Sequence, residues 1–196
     1  GAGAAGGAAQ RVKILSLGAA SVGKSCLIKR YCEGRFVQKY ITTIGIDYGV
    51  KPVKAHGHDV KVNFFDTSGG DEFKEIRVDF YDNANGVLLV YDVSDKRSFS
   101  DLEFWLQEAA RHGCQLSKPS GASASSMPVV VLCGNKSDIS RREVSRADGV
   151  QFANAHGMQY FETSAATGDS VTEAFTAMFE RIVDLNLEAR KRLGAG

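Results

Sequence analysis

The sequence predicts an α/β fold: a six-stranded, mostly parallel sheet with one antiparallel edge strand and helices on both faces. Three observations carry this reading. Short apolar runs alternate with apolar stripes at helical spacing, as they must when parallel strands are joined by crossover helices. Val129–Cys133 is continuously apolar, the signature of a strand buried on both faces, and Gly86–Val93 is nearly so. Tyr48–Ala55 and Val60–Asp66 flank only a short stretch around His56-Gly57-His58, which makes them a hairpin and places the first of them antiparallel at the edge.

Taken in order, Val12, Ile14, Leu15 and Leu17 form the first strand. Cys26, Leu27, Ile28, Tyr31 and Cys32 then recur at the spacing of a helix face. The hairpin supplies two strands and Gly86–Val93 a fourth. Leu102, Trp105, Leu106 and Ala109 make a helical stripe in which Trp105 is core rather than a ligand site. Ser117–Met127, rich in Ser, Pro and Gly, reads as an extended surface loop, a tolerated insertion more readily than a partner site. Val129–Cys133 and the short run Met158–Phe161 complete the sheet. Val171, Ala174, Phe175, Met178 and Ile182 give the last helix its buried face. Ser98-x-x-Asp101, Ser145-x-x-Asp148 and Ser170-x-x-Glu173 have capping-box spacing and predict three helix starts. Residues 1–9 form a disordered Gly/Ala tail, 10–190 one domain, and 191–196 a C-terminal tail.

With 196 residues and 43% hydrophobic content, the chain can bury a substantial single core. A net charge of +1 gives no argument for nucleic acid or an anionic membrane. Cys26, Cys32, Cys114 and Cys133 lack metal-ligand spacing and read as reduced thiols of a cytoplasmic protein. No run is long enough to span a bilayer, and no signal region is present. His56 and His58 have no third ligand nearby and read as solvated. Arg141-Arg142 and Arg190-Lys191-Arg192 read as a solvated turn and helix end. A monomer is expected.

The chemistry concentrates in two short motifs. Gly18-Ala19-Ala20-Ser21-Val22-Gly23-Lys24-Ser25 is G-x-x-x-x-G-K-S between a strand and a helix, the context of a phosphate-binding loop. Its backbone N–H groups would cradle a β-phosphate, Lys24 would reach β- and γ-oxygens, and the Ser25 hydroxyl would hold Mg²⁺. Asn135-Lys136-Ser137-Asp138 follows the buried strand Val129–Cys133. The Asp138 carboxylate would accept from N1–H and N2 of guanine. Adenine offers neither donor and would leave the acid desolvated and unpaired. Asn135 would tie this loop to the phosphate loop, and the Lys136 stem would cover the base.

Three further pieces follow in order: Thr43 within Thr42-Thr43-Ile44-Gly45, Asp66-Thr67-Ser68-Gly69, and Glu162-Thr163-Ser164-Ala165. With these five motifs the chain resembles the Ras-like small GTPases over roughly residues 10–188, and the Rab branch in particular. Tyr40 to Tyr48 and the segment from Phe80-Tyr81 to Val93 carry the Rab likeness. Lys24 to Glu33, Arg35-Phe36-Val37 and Ile44 to Val50 are similar to the Rab-like GTPases that carry a J domain in some members. The resemblance implies a Ras-like P-loop GTPase that binds GTP or GDP with Mg²⁺. It implies nucleotide contacts from Ala20, Ser21, Val22, Gly23, Lys24, Ser25 and Cys26. Further contacts would come from Phe36, Tyr40, Thr43 and Gly69, and from Asn135, Lys136, Asp138, Ser164, Ala165 and Ala166. Ser25, Thr43 and Asp66 would serve Mg²⁺, Thr43 only with triphosphate and Asp66 through a bound water. Phe36 would lie edge-on to the base. Lys24 would be the charge-stabilising catalytic group.

The departures bear on catalysis. Gly70 stands where the family places the Gln that orients the attacking water. Asp71-Glu72 replaces Glu-Arg and reads as an exposed acidic turn, since like charge with phosphate opposes a base there. Ala20 replaces a loop glycine, Phe65 a Trp, and Ala166 a Lys. The expectation is a guanine-nucleotide switch with weak intrinsic hydrolysis, presenting residues about 36–48 and 67–81 to effectors and served by an exchange factor and a GTPase-activating protein. The alternative is a nucleotide-stabilised interaction module that barely cycles. An ATP-using phosphotransferase is opposed by Asp138. No prenylatable cysteine lies near Gly196 and no His-Pro-Asp occurs in the sequence, so neither a prenyl anchor nor a J domain is expected within it. An Hsp70 partner would follow if a J domain continued the chain.

Overall fold

A computed structural model of the chain describes residues 9–36, 43–117 and 127–194. The elements run β1 (Gln10–Leu17), α1 (Lys24–Glu33), β2 (Ile46–Ala55) and β3 (His58–Thr67). A 3-10 turn (Asp71–Phe73) leads into α2 (Lys74–Val78), followed by β4 (Gly86–Asp92), α3 (Lys96–Ser100) and α4 (Leu102–Arg111). β5 (Val129–Asn135), α5 (Arg146–His156), β6 (Gln159–Glu162) and α6 (Val171–Gly194) complete the chain. The six strands lie in the order β2-β3-β1-β4-β5-β6. Only β2 and β3 pair antiparallel; the other four ladders are parallel.

Strand periodicity sorts the apolar residues into two cores. Val12, Ile14, Val62, Phe64, Leu88, Val90 and Val131 pack under α1 and α6, against Leu27, Phe175, Met178 and Ile182. Leu15, Leu17, Val87, Leu89 and Leu132 face the opposite way, against Tyr81, Leu102, Trp105, Val144 and Met158. β4 and β5 are therefore buried at every position, which is what their apolar runs reflect. Each such Leu or Val contributes roughly 1.5–3 kcal/mol by leaving water.

The hairpin closes on two residues, His56 (φ 45°) and Gly57 (φ 77°). Left-handed backbone at both positions is the tight turn whose twist suits paired strands. His56 does not stand free in solvent. Its Nδ1 lies 2.8 Å from Asp184 and its Nε2 3.5 Å from Glu180, tying the hairpin tip to α6.

The capping signals divide. Ser145 accepts from Asp148 N–H and Asp148 accepts from Ser145 N–H, each at 3.1 Å, a complete capping box. Ser98 is instead buried inside α3. Asp95 takes the cap by accepting from Arg97 N–H at 3.0 Å, and Ser98 Oγ donates to the Asp95 carbonyl at 2.8 Å. Ser170 has φ 53°, so it is not in the extended conformation that a capping serine needs. A nearer acidic cap displaces the first signal and a tight turn after Gly168 displaces the second.

Chain leaves the C-terminal end of β1 toward β3 on one side, and leaves β3 toward β4 on the other. Such a reversal opens a crevice beyond the strand ends, where ligands of doubly wound sheets bind.

Candidate functional site

The loop after β1 fills that crevice. Gly18 has φ 139°, and a Cβ there would sit 2.2 Å from the Val90 carbonyl oxygen, so only glycine fits. Ser21 (φ 66°) and Gly23 (φ 101°) turn the backbone again before α1 begins at Lys24. Successive turns of this kind and a helix N-terminus direct N–H groups to one point, a ready anion site. Lys24 folds back over the loop and donates to the carbonyls of Gly18 at 2.7 Å and Ala19 at 2.8 Å. It is buried, and burial lowers its ammonium to about 8, partly opposed by the nearby Asp66.

Three hard oxygens meet beside it. Ser25 Oγ lies 2.9 Å from Thr43 Oγ1 and hydrogen-bonds Asp66 Oδ2. Asp66 Oδ1 accepts from Ser16 Oγ at 2.8 Å, which fixes the carboxylate at the end of β3. Burial pushes the Asp66 carboxyl up, against the hydrogen bonds from Ser25 and Ser16 and the charge of Lys24. Oxygen donors of this kind suit Mg²⁺.

The end of the crevice to which the sequence assigns a base is assembled from loops far apart in sequence. Asn135 Nδ2 donates to the Val22 carbonyl at 2.8 Å, while its Oδ1 accepts from Thr163 Oγ1 at 3.2 Å and Ala165 N–H at 3.3 Å. One side chain thereby joins the phosphate loop, the end of β5 and the loop after β6. It stands so close that a Cβ on Gly23 would meet its Nδ2 at 2.3 Å. Ser164 Oγ donates to Asp138 Oδ1 at 2.6 Å. These groups border a pocket of about 260 Å³ lined by Ser21, Gly23, Cys26, Phe36, Lys136, Asp138, Ala165 and Ala166. Lys136, in left-handed backbone with φ 64°, extends its ammonium to within 2.6 Å of Asp92. Phe36 is 41% exposed at the mouth. Tyr40 lies outside the described residues.

Several contributors carry no sequence motif. Ile139 lines the pocket. Arg30, on α1, donates to the carbonyl of Ala165 at 2.8 Å and also bonds that of Ala166, holding the loop that follows β6. At the other end, Gly69 rests on the phosphate loop; a Cβ there would lie 2.4 Å from Ala19 C and Ala20 N. Arg77 is fully buried and donates to the carbonyls of Ser68 at 2.9 Å and Gly70 at 3.0 Å. Its other nitrogens reach both Glu108 oxygens at 2.8 and 3.0 Å, and its guanidinium lies 4.7 Å from the Trp105 ring centroid. Tyr81 OH donates to Glu108 at 2.6 Å. Burial alone would raise the Glu108 carboxyl, but Arg77 and Tyr81 hold it below its ordinary value. The only sequence hint was an acid three residues after Trp105, at the margin of an apolar stripe.

A doubly wound sheet with a phosphate loop at its crevice and a base pocket beside it defines a P-loop nucleotide-binding protein. A profile of the Ras family matches residues 13–184. The chain belongs to the Ras family, whose members bind GTP and GDP with Mg²⁺ and act as switches through effectors, exchange factors and GTPase-activating proteins. It is similar to proteins named DnaJ homolog subfamily C member 27. Identity is 45% over 184 residues for Danio rerio, 46% over 187 for Gallus gallus and 46% over 191 for Homo sapiens. The matches cover 93%, 93% and 95% of this chain and 65%, 65% and 66% of those relatives. The chain thus spans about two-thirds the length of the curated relatives it matches. Among the described residues, no helix is long and apolar enough to cross a membrane.

Proposed function

We propose that this chain is a guanine-nucleotide switch of weak intrinsic hydrolysis. The observation that carries the reading is Asn135, which joins the phosphate loop to the loop carrying Asp138 and to the loop after β6. Residues 20–26 receive the phosphates. Asp138, steadied by Ser164, reads the guanine edge, and Ala165 lies beside O6. Phe36, Lys136 and Ala166 enclose the base, and Tyr40 belongs to the same nucleotide shell. Lys24 exchanges its two carbonyl partners for β- and γ-oxygens, and the Gly69 N–H meets the γ-phosphate.

Ser25 and Thr43 hydroxyls with the Asp66 carboxylate would hold Mg²⁺, Asp66 through water. The ion supplies positive charge to the phosphates when bound. Charge stabilisation is therefore retained, whereas Gly70 has no side chain to orient water, and slow turnover follows. One feature favours the second reading, a module that barely cycles: the segment after Asp66 is fastened by Arg77 to the buried Glu108.

Effectors, an exchange factor and a GTPase-activating protein would meet residues about 36–48 and 67–81. The relatives' DnaJ names support an Hsp70 link if a J domain accompanies this segment. Four free cysteines suit a cytoplasmic setting. The domain is taken as residues 10–190, and as a monomer.

Displacement of a fluorescent GDP by Mg·GTP or Mg·ATP tests base recognition. GTP is expected to compete while ATP fails at roughly a hundredfold excess or more. Equal competition by ATP would remove the guanine assignment. Single-turnover hydrolysis then separates a slow switch from a module that does not turn over.

A further inference from the structure

Residue 70 has ordinary extended backbone, φ −75° and ψ 144°, so the chain conformation does not require glycine there. Space does. A Cβ at residue 70 would lie 2.5 Å from Glu72 Oε2 and 2.7 Å from Oε1. The carboxylate two residues on therefore occupies the volume from which a side chain at 70 would emerge. We propose that Glu72 takes the place of the water-orienting side chain that Gly70 lacks. The inference rests on the GTPase reading.

Glu72 itself is exposed, but the segment that carries it is fixed. Gly70 O accepts from Arg77 at 3.0 Å and from Phe73 N–H at 3.2 Å, and Gly70 N–H donates to Ser68 Oγ at 3.3 Å. Arg77 is in turn held by Glu108 in the core. The backbone of the 3-10 turn is fixed on both sides of Gly70, and the Glu72 Cα with it. Gly69 touches the phosphate loop at Ala19 and Ala20, so residue 70 follows directly on the residue that borders the loop. A carboxylate at that point repels phosphate, which is why Asp71-Glu72 reads from sequence as a plain acidic turn.

A carboxylate can do half of what an amide does. It accepts a hydrogen bond from the attacking water but has no donor for the γ-phosphate. In the step so assisted, the water oxygen bonds to the γ-phosphorus. The bond to the β–γ bridging oxygen breaks, its electron pair leaving with GDP. Both water protons depart with inorganic phosphate, and Glu72 ends unchanged. Orientation without donation gives slow turnover rather than none.

The test is single-turnover hydrolysis by the whole chain preloaded with Mg·GTP, alongside dissociation rates of fluorescent GDP and GTP. Glu72→Ala is expected to hydrolyse about tenfold more slowly, with both dissociation rates changed by less than about twofold, a split that a structural role would not produce. Glu72→Gln, whose amide oxygen still accepts, should lose less than Glu72→Ala. Gly70→Gln should gain about tenfold on the Glu72→Ala background and less on the parent, where two side chains contend for one volume. Hydrolysis by Glu72→Ala as fast as the parent's overturns the proposal. A parent that binds Mg·GTP but shows no hydrolysis overturns it too and leaves the nucleotide reading standing. A parent that binds no guanine nucleotide overturns both.

Discussion

At the base end of the cleft, Asn135, Ser164 and Arg30 are tied to neighbouring loops by bonds that a bound nucleotide would leave in place. At the terminal-phosphate end, Lys24 donates to the carbonyls of its own loop, and Ser25 bonds Thr43 and Asp66. Those are bonds that phosphate and cation would replace. The end assigned to the base is tied together by the fold itself, whereas the end assigned to the terminal phosphate is held by bonds among groups that ligands would take over. The backbone of Gly70, secured by Arg77 from the core, and the Asp66 oxygen held by Ser16 escape this rule.

The largest effect should come from that core anchor. Glu108→Ala leaves a buried guanidinium unpaired and is expected to lower stability by about 3–5 kcal/mol in urea denaturation. Glu108→Gln, which still offers an acceptor, should lose less. A loss below about 1 kcal/mol for the alanine variant would mean that the reacting end has no firm footing.

Next, Asp138→Asn should weaken GTP and GDP alike by about 3 kcal/mol or more, roughly a hundredfold, measured by competition against a fluorescent nucleotide. Preference should move toward xanthine nucleotides. Once GTP is bound, its single-turnover hydrolysis should be unchanged; a slowed rate would show that the two ends are coupled.

Phe36→Leu, at the open mouth of the pocket, removes ring contact worth roughly 1–2 kcal/mol. Both nucleotides should leave on the order of tenfold faster in a chase experiment. Unchanged release would assign the lid to another side chain.

The smallest effect lies away from the cleft. His56 titrates above its ordinary value because of its hydrogen bond to Asp184, helped by the charges of Asp184 and Glu180. The folded state thus holds the proton more tightly than the unfolded chain. The contribution is present below pH about 6.5 and disappears as pH rises through the raised value. His56→Ala should therefore reduce Tm slightly at pH 6 and leave it unchanged at pH 9. A loss equal at both values would make the contact one of packing alone.

The phosphate loop and the Asn135–Asp138 segment were legible because their chemistry is contiguous: eight residues in one case and four in the other. The buried strands were legible because β4 and β5 leave no polar face to interrupt the pattern. Arg30 and Arg77 were not. Their partners lie 135 and 31 residues away, and a lone arginine on a helix reads as solvated until the partner is seen. The hydroxyl of Ser98 was misread for a local reason. Asp95 is the stronger cap, and spacing alone cannot rank two candidates three residues apart. Glu72 was read by its charge; only the space it takes from residue 70 gives it a direction.

The outer edge of the sheet has a consequence of its own. β2 is ten residues long and mostly exposed, pairs among the described residues only with β3, and would be an invitation to any extended chain seeking a partner. It carries Lys51, Pro52 and Lys54 in its middle. A proline donates no ladder hydrogen bond, while the Lys51 ammonium is tied to the carbonyls of Tyr31 and Cys32 and that of Lys54 to Asp59. Strand addition is discouraged along the half nearest the hairpin. Tyr48 and Val50, 55% and 44% exposed, occupy the other half. A protein approaching this edge would thus meet side chains near the cleft rather than free backbone along the strand.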